Sequence, residues 1–141
     1  MRHRKHNKKF GRIKSHREAL VSMLVVGLIK SMSIKTTLAK GKVARQLAEK
    51  MVTNARKNDL AARRRAIAKL RDEEAVKILF DKIVPIMEGR PGGFTRIVKI
   101  GQRSSDGSEM CILSWVTEKY EPAAEAAADV EEVAEAAPVE A

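Results

Sequence analysis

Residues 89–100 read Gly89-Arg90-Pro91-Gly92-Gly93-Phe94-Thr95-Arg96-Ile97-Val98-Lys99-Ile100. Three glycines and a proline in the first five positions make a hard break that no helix crosses. Behind it, apolar residues recur at helical spacing. Ahead of it they alternate. Phe94–Ile100 and Met110–Thr117 read as two strands, and Asp106-Gly107 lies in the stretch between them, so the pair is an antiparallel hairpin with a longish loop. Phe94, Val98 and Ile100 are expected on one face of the first strand, and Cys111, Leu113 and Trp115 on one face of the second.

Working back toward the N-terminus, Asp72 is placed to cap a helix whose first turn holds Glu73 and Glu74, against the positive end of the dipole. Val76, Leu79, Phe80 and Ile83 form its buried stripe, and Pro85 ends or kinks it near Val84. Asp59 caps a shorter helix through Leu70, with Leu60, Ile67 and Leu70 apolar. A longer helix, about 38–56, follows Thr37 and carries Val43, Leu47 and Met51 at i, i+4, i+8. Ser33–Thr37 is short and β-branched and suits a brief strand. Ser15-His16-Arg17-Glu18 reads as a capping box for a first helix ending near Ser31. That helix is apolar nearly all round and belongs in the middle of a core. Gly27 within it predicts the close passage of another backbone.

The order is arm, α, β, α, α, α, β, β, tail. It predicts an α/β domain of the α+β type, two-layered, with a small three-stranded sheet. Its predicted parts are a basic arm over 1–14, a globular domain over 15–118 and a disordered acidic Ala/Glu-rich tail over 119–141.

Charge narrows the function. The chain has 141 residues and a formal charge of +10. Residues 1–17 hold eight bases and no acid, whereas residues 121–141 hold seven acids and no base. Removing those seven acids leaves +17 on residues 1–120. So lopsided a charge implies a polyanionic partner, nucleic acid first and an anionic membrane second. The longest apolar stretch, Ala19–Ile29, has 11 residues, against roughly 20 needed to cross a bilayer. A single cysteine, Cys111, makes no internal disulfide and fits a reducing, cytoplasmic setting.

The arm is the strongest binding signal. Arg2, Arg4, Lys5, Lys8, Lys9, Arg12, Lys14 and Arg17 can each neutralise a phosphate and release a counterion. His3, His6 and His16 sit in or beside the arm. They have no acid or cysteine at ligand spacing, and a floppy arm supplies no preorganised general base. Contact with bases or phosphates suits them better. Lys35, Thr36, Thr37, Lys40 and Lys42 surround a helix start, where lysines are unfavourable unless an anion sits there. Arg63-Arg64-Arg65 spans about 200° of a helix, so only one or two can reach a common partner. Gly92 and Gly93 allow close approach of a phosphate backbone, Phe94 can stack, and Thr95 and Arg96 add donors. No G-K-[ST] ending makes this a P-loop. Aromatic residues are 4% of the chain, too few for a single-strand stacking platform. Bases spread over arm, helices and hairpin suit folded RNA better than one helix in a groove.

These segments also match a known pattern in order: Met1-Arg2-His3-Arg4-Lys5, Ser15-His16-Arg17, Ile34-Lys35-Thr36-Thr37-Leu38-Ala39-Lys40, Arg63-Arg64 and Gly92-Gly93-Phe94-Thr95-Arg96-Ile97. Together they resemble the bacterial large-subunit ribosomal proteins of the L-seventeen family, over about residues 1–117. The resemblance implies an α-β-α-α-α-β-β fold and a structural, non-enzymatic protein that binds large-subunit ribosomal RNA. It implies a place near the nascent-chain tunnel exit beside other large-subunit proteins. By position it makes the arm, the Lys35–Lys42 segment, Arg63-Arg64 and Gly92–Arg96 the RNA contacts. No cofactor, metal, membrane, small-molecule substrate or homo-oligomer is expected. Phe94 stands where tyrosine is common and Gly41 where alanine is usual; the second departure weakens a helix start. A free nucleic-acid-binding or DNA-compacting factor is the alternative, separated from the first reading by the resemblance and not by charge.

Overall fold

The computed structural model describes residues 8–118. The predicted contacts Arg2, His3, Arg4, Lys5 and His6, and the tail from 119 onward, lie outside the described residues. The elements are α1 (Lys14–Ser31), β1 (Ser33–Thr37), α2 (Leu38–Ala55), α3 (Leu60–Leu70), α4 (Glu73–Ile78), a π-helical segment (Leu79–Ile83), a short α5 (Val84–Ile86), β2 (Thr95–Gln102) and β3 (Glu109–Trp115). This is the predicted order. The early strand joins the hairpin on the far side of β3, giving an antiparallel sheet ordered β1-β3-β2.

The helices cover one face of the sheet. Cys111, Leu113 and Trp115 point into that layer and are buried, as their alternation requires. Leu113 and Trp115 share one core with Leu28 and Ile29 of α1, to which the π-helical segment adds Leu79 and Ile83. The Trp115 indole donates to the Leu28 carbonyl at 3.1 Å, so its one polar atom is satisfied inside. The other sheet face is uncovered. Opposite pairs there are Lys35 with Ile112, Val98 with Ile112, and Arg96 with Ser114.

Several expectations need correction. No capping box forms: α1 begins at Lys14, its N-cap position is Ile13, and no side chain caps it. Phe10 and Gly11 take positive φ, and Arg12 N–H closes on the Lys9 carbonyl at 3.0 Å. This turn delivers the chain to the helix two residues early and leaves Ser15 inside the first turn. The neighbour of Gly27 is a side chain, not a backbone: a Cβ there would meet Ile34 Cγ2 at 3.7 Å. The buried stripe of α2 is Gly41, Ala44, Ala48, Val52 and Ala55, whereas Val43, Leu47 and Met51 are only half-buried. Small residues let α2 lie close to both β3 and α1, which size-blind periodicity does not foresee. On α3 the same holds: Ala62, Ala66 and Leu70 are buried, while Leu60 is 64% exposed.

On β2 the predicted face of Phe94, Val98 and Ile100 does not exist. Val98 and Ile100 are 46% and 41% exposed. Pairing starts at Thr95, so Phe94 precedes the strand and is free of its alternation, and a bulge between Lys99 and Gly101 shifts the register further. Pro85 does not end the helix near Val84, since helical residues run on to Ile86. It has no N–H for the Asp81 carbonyl, and the helix widens just before it, with Val84 N–H bonding back to Leu79.

A candidate nucleic-acid interface

Asp59 and Asp72 cap α3 and α4 as read, accepting from Ala62 N–H at 2.5 Å and Ala75 N–H at 2.8 Å. Lys30, in the last turn of α1, pairs with Asp72 at 2.8 Å and Glu74 at 3.2 Å. Its ammonium, then the Ala75 N–H, hold the Asp72 carboxyl below the ordinary value of 3.8. These contacts fix α1 against the start of α4. They set the rigid frame from which the basic residues project.

The described end of the arm, Lys8 and Lys9, is exposed, as are Lys14 and His16; Arg17 is half-buried on the first turns of α1. The Arg12 guanidinium donates to the Phe10 carbonyl at 3.1 Å and so stiffens the arm's last turn. Lys35 is exposed at the middle of β1 on the uncovered sheet face, and Arg96 is exposed on the same face across β3. Thr37 is the N-cap residue of α2 and makes no capping hydrogen bond; no acid lies in that helix's first turn. Lys42 is exposed one turn on, and Lys40 is half-buried. Lys8, Thr37 and Lys42 line one groove at this helix start, together with Ser108 and Glu109 where β3 begins. The first groove wall is thus built from arm and β1–α2 junction together.

Other predicted contacts are occupied within the fold. Thr36 is buried beneath β1. Phe94 is 2% exposed, with the Arg56 guanidinium 4.6 Å over its ring. Its ring therefore offers no open face to a base. The Thr95 hydroxyl donates to Glu49 Oε1 at 2.8 Å, and the Phe94 and Thr95 N–H groups donate to the same carboxylate at 3.3 and 3.2 Å. Arg56 also donates to the Met87 carbonyl just before the break and to the Arg90 carbonyl within it. Glu49 and Arg56, both on α2 or its end, thus hold the Gly92–Arg96 segment from behind and leave Gly92, Gly93 and Arg96 exposed. Neither residue was foreseen. The available signal was that Glu49 is the one acid within residues 38–55.

Arg63 lies 4.6 Å over the buried Phe80 ring, whereas Arg64 is exposed with no ion pair among the described residues. Arg65 reaches back to Asp59 at 3.8 Å. Of the triplet, then, Arg64 is the side chain free to meet a partner, as the angular argument requires. Arg96 is paired with Glu118 at 3.2 Å. The structure joins the arm, the α1 start and the α2 start, while α3 and the β2 start stand as separate basic points. Cys111 is buried against α2, and burial pushes its thiol above its ordinary value, so it is an inert core residue. Among the described residues no three His, Cys, Asp or Glu side chains converge as a metal site needs, and no helix is long and apolar enough to cross a membrane.

Comparison with known proteins gives a consistent result. The sequence model of the family described as ribosomal protein L17 matches residues 20–116. Large ribosomal subunit protein bL17 of Methylacidiphilum infernorum is 46% identical over 115 residues, covering 82% of this chain and 88% of that protein. The bL17 protein of Azorhizobium caulinodans is 48% identical over 116 residues, covering 82% and 84%. That of Syntrophotalea carbinolica is 39% identical over 140 residues, covering 99% and 90%. This last similarity runs on through the acidic tail.

Proposed function

The chain belongs to the ribosomal protein L17 family, whose members are structural and non-enzymatic, and from that premise we propose that it is a constituent of the large ribosomal subunit that binds and stabilises folded ribosomal RNA. The reading is supported most by one observation. Lys14, Lys35, Lys42 and Arg64 on the two-layer domain, with Lys8 and Lys9 at the end of the arm, are exposed and have no ion-pair partner among the described residues. Cations left unpaired at fixed positions repel one another in the free chain and gain energy when phosphates arrive. The N-terminal arm extends the same chemistry. Gly92 and Gly93 offer main-chain approach and Arg96 a guanidinium, while Phe94 and Thr95 hold these positions from inside and Thr36 is buried in β1.

On this reading the protein works in the cytoplasm as part of the ribosome, and we infer a position near the nascent-chain tunnel exit beside other large-subunit proteins. The test is sedimentation of lysate through a sucrose gradient at low and high salt, with the protein followed by mass spectrometry. Stoichiometric retention in the large subunit at high salt is expected. Recovery at the top of the gradient would instead make it a free nucleic-acid binder. Cross-linking of intact subunits with mass spectrometry tests the tunnel-exit position through the neighbours it identifies.

A further inference from the structure

A second basic groove, between α1 and α2, joins Lys8 and Arg17 to Lys50 and Lys69, two cations that sequence patterns did not single out. Its volume is about 290 Å3, near the lower end for a ligand site. Lys8, Arg17, Lys50 and Lys69 stand around it, and none of the four makes an ion pair among the described residues. Its floor is apolar: Val21 from α1, with Val43 and Leu47 from α2. Glu18 from α1 and Gln46 from α2 also line it. The walls are fixed, because Ser22 Oγ on α1 donates to the Lys69 carbonyl at 2.8 Å and so ties the end of α3 to the groove.

We propose that this groove receives one unpaired nucleotide of the RNA, phosphates on the four cations and base on the apolar floor. The proposal rests on the rRNA-binding reading and adds a second site to it. A continuous duplex would use the cations but not the floor, since its bases stay stacked. An acidic peptide would use the cations but would set its carboxylates against Glu18. An extruded nucleotide uses all three features. Its phosphate meets Lys and Arg, its flat apolar body covers Val21, Val43 and Leu47, and its edge carries amino donors for Glu18 and mixed donors and acceptors for Gln46.

The experiment uses large subunits assembled with the full chain carrying a photo-cross-linking residue, p-benzoyl-phenylalanine, at Gln46 or, separately, at Ser33 on the uncovered sheet face. From position 46 the expected product is an RNA adduct that maps by reverse-transcription stop to an unpaired nucleotide. Lys50→Ala with Lys69→Ala should lower that adduct several-fold and leave the adduct at position 33 unchanged. An adduct from position 46 to paired nucleotides only, to another protein, or to residues 119–141 of this chain overturns the groove proposal. So does no adduct from 46 while 33 still reaches RNA; in all these cases the rRNA reading stands. No RNA adduct from either position overturns both.

Discussion

Gly41 and Cys111 show how two residues decide one contact. Glycine weakens α2 near its start, where a helix former would serve better. The reason for it is spatial: a Cβ at Gly41 would lie 2.7 Å from Cys111 Sγ, inside the buried α2–β3 contact. Gly41→Ala is therefore expected to destabilise by about 1–3 kcal/mol through overpacking, despite its better propensity. In a Cys111→Ala background the obstruction is gone, and the same change should stabilise by about 0.5–1 kcal/mol. Urea unfolding of the four proteins of this cycle reads the sign reversal, and additive effects would refute it. Glu49 makes a similar point about the site. Its carboxylate takes three donors from Phe94 and Thr95. Glu49→Gln leaves one neutral oxygen for them and is expected to cost about 1–3 kcal/mol, with faster amide exchange at Thr95 than at Leu113. Thr95 looks like a phosphate donor in the sequence because composition and motif cannot display a partner 46 positions away. For the same reason Arg63 looked equivalent to Arg64, although only Arg63 is spent on Phe80.

At the level of elements, the sequence was most informative where the determinant is local. Asp59 and Asp72 mark helix starts because the cap is made with an N–H three residues on. The β1 span and the inward set Cys111, Leu113 and Trp115 were equally legible, since alternation alone decides them. What failed needed a partner's shape. The α2 and α3 stripes are mostly small residues, alanine above all, because close approach selects them, and the face of β2 depends on where pairing begins. Gly27 belongs to this class too. Its surroundings leave ordinary van der Waals room for a methyl group, with Ile34 Cγ2 at 3.7 Å. Gly27→Ala should therefore raise stability by about 0.5–1 kcal/mol, measured by thermal or urea unfolding, and a loss would mean that space is needed there. The α1–α4 junction predicts a pH dependence. The Asp72 carboxyl is held below its ordinary 3.8, first by Lys30 and then by the Ala75 N–H. A depressed carboxylate contributes fully above the unfolded value and loses its contribution as pH falls through the folded one. Asp72→Asn keeps a capping oxygen but removes the charge. Its stability should fall less steeply than the parent's below about pH 4, and parallel acid profiles would show that the pair contributes nothing there.

On the scale of the whole molecule, the chain separates its charges along its length: a cationic arm and domain, then seven acids and no base in the last 21 residues. The described structure ends where these two parts meet. Glu118 pairs with Arg96 at 3.2 Å, and its carbonyl accepts from Arg90 at 3.0 Å. One predicted RNA contact is thus already neutralised at the threshold of the acidic segment. Phosphates that reach Arg96 must displace that carboxylate, and an exposed pair of this kind yields at little cost. The acids that follow act on the remaining cations through the long-range field, which salt weakens over about 10 Å at 0.1 M. Their effect should therefore be on free-chain binding to any polyanion more than on the fitted complex, where contacts are short and many. Deleting residues 121–141 raises the formal charge from +10 to +17. The truncated chain should enter large subunits at the parent's stoichiometry, yet bind an unrelated RNA duplex more tightly at low salt, with the difference shrinking as salt rises. Quantitative mass spectrometry of purified subunits reads the first quantity, and a salt series of duplex titrations reads the second. A marked loss from subunits would mean that the segment is itself an assembly contact. Equal duplex affinity at low salt would mean that its charge does not act on the basic surface.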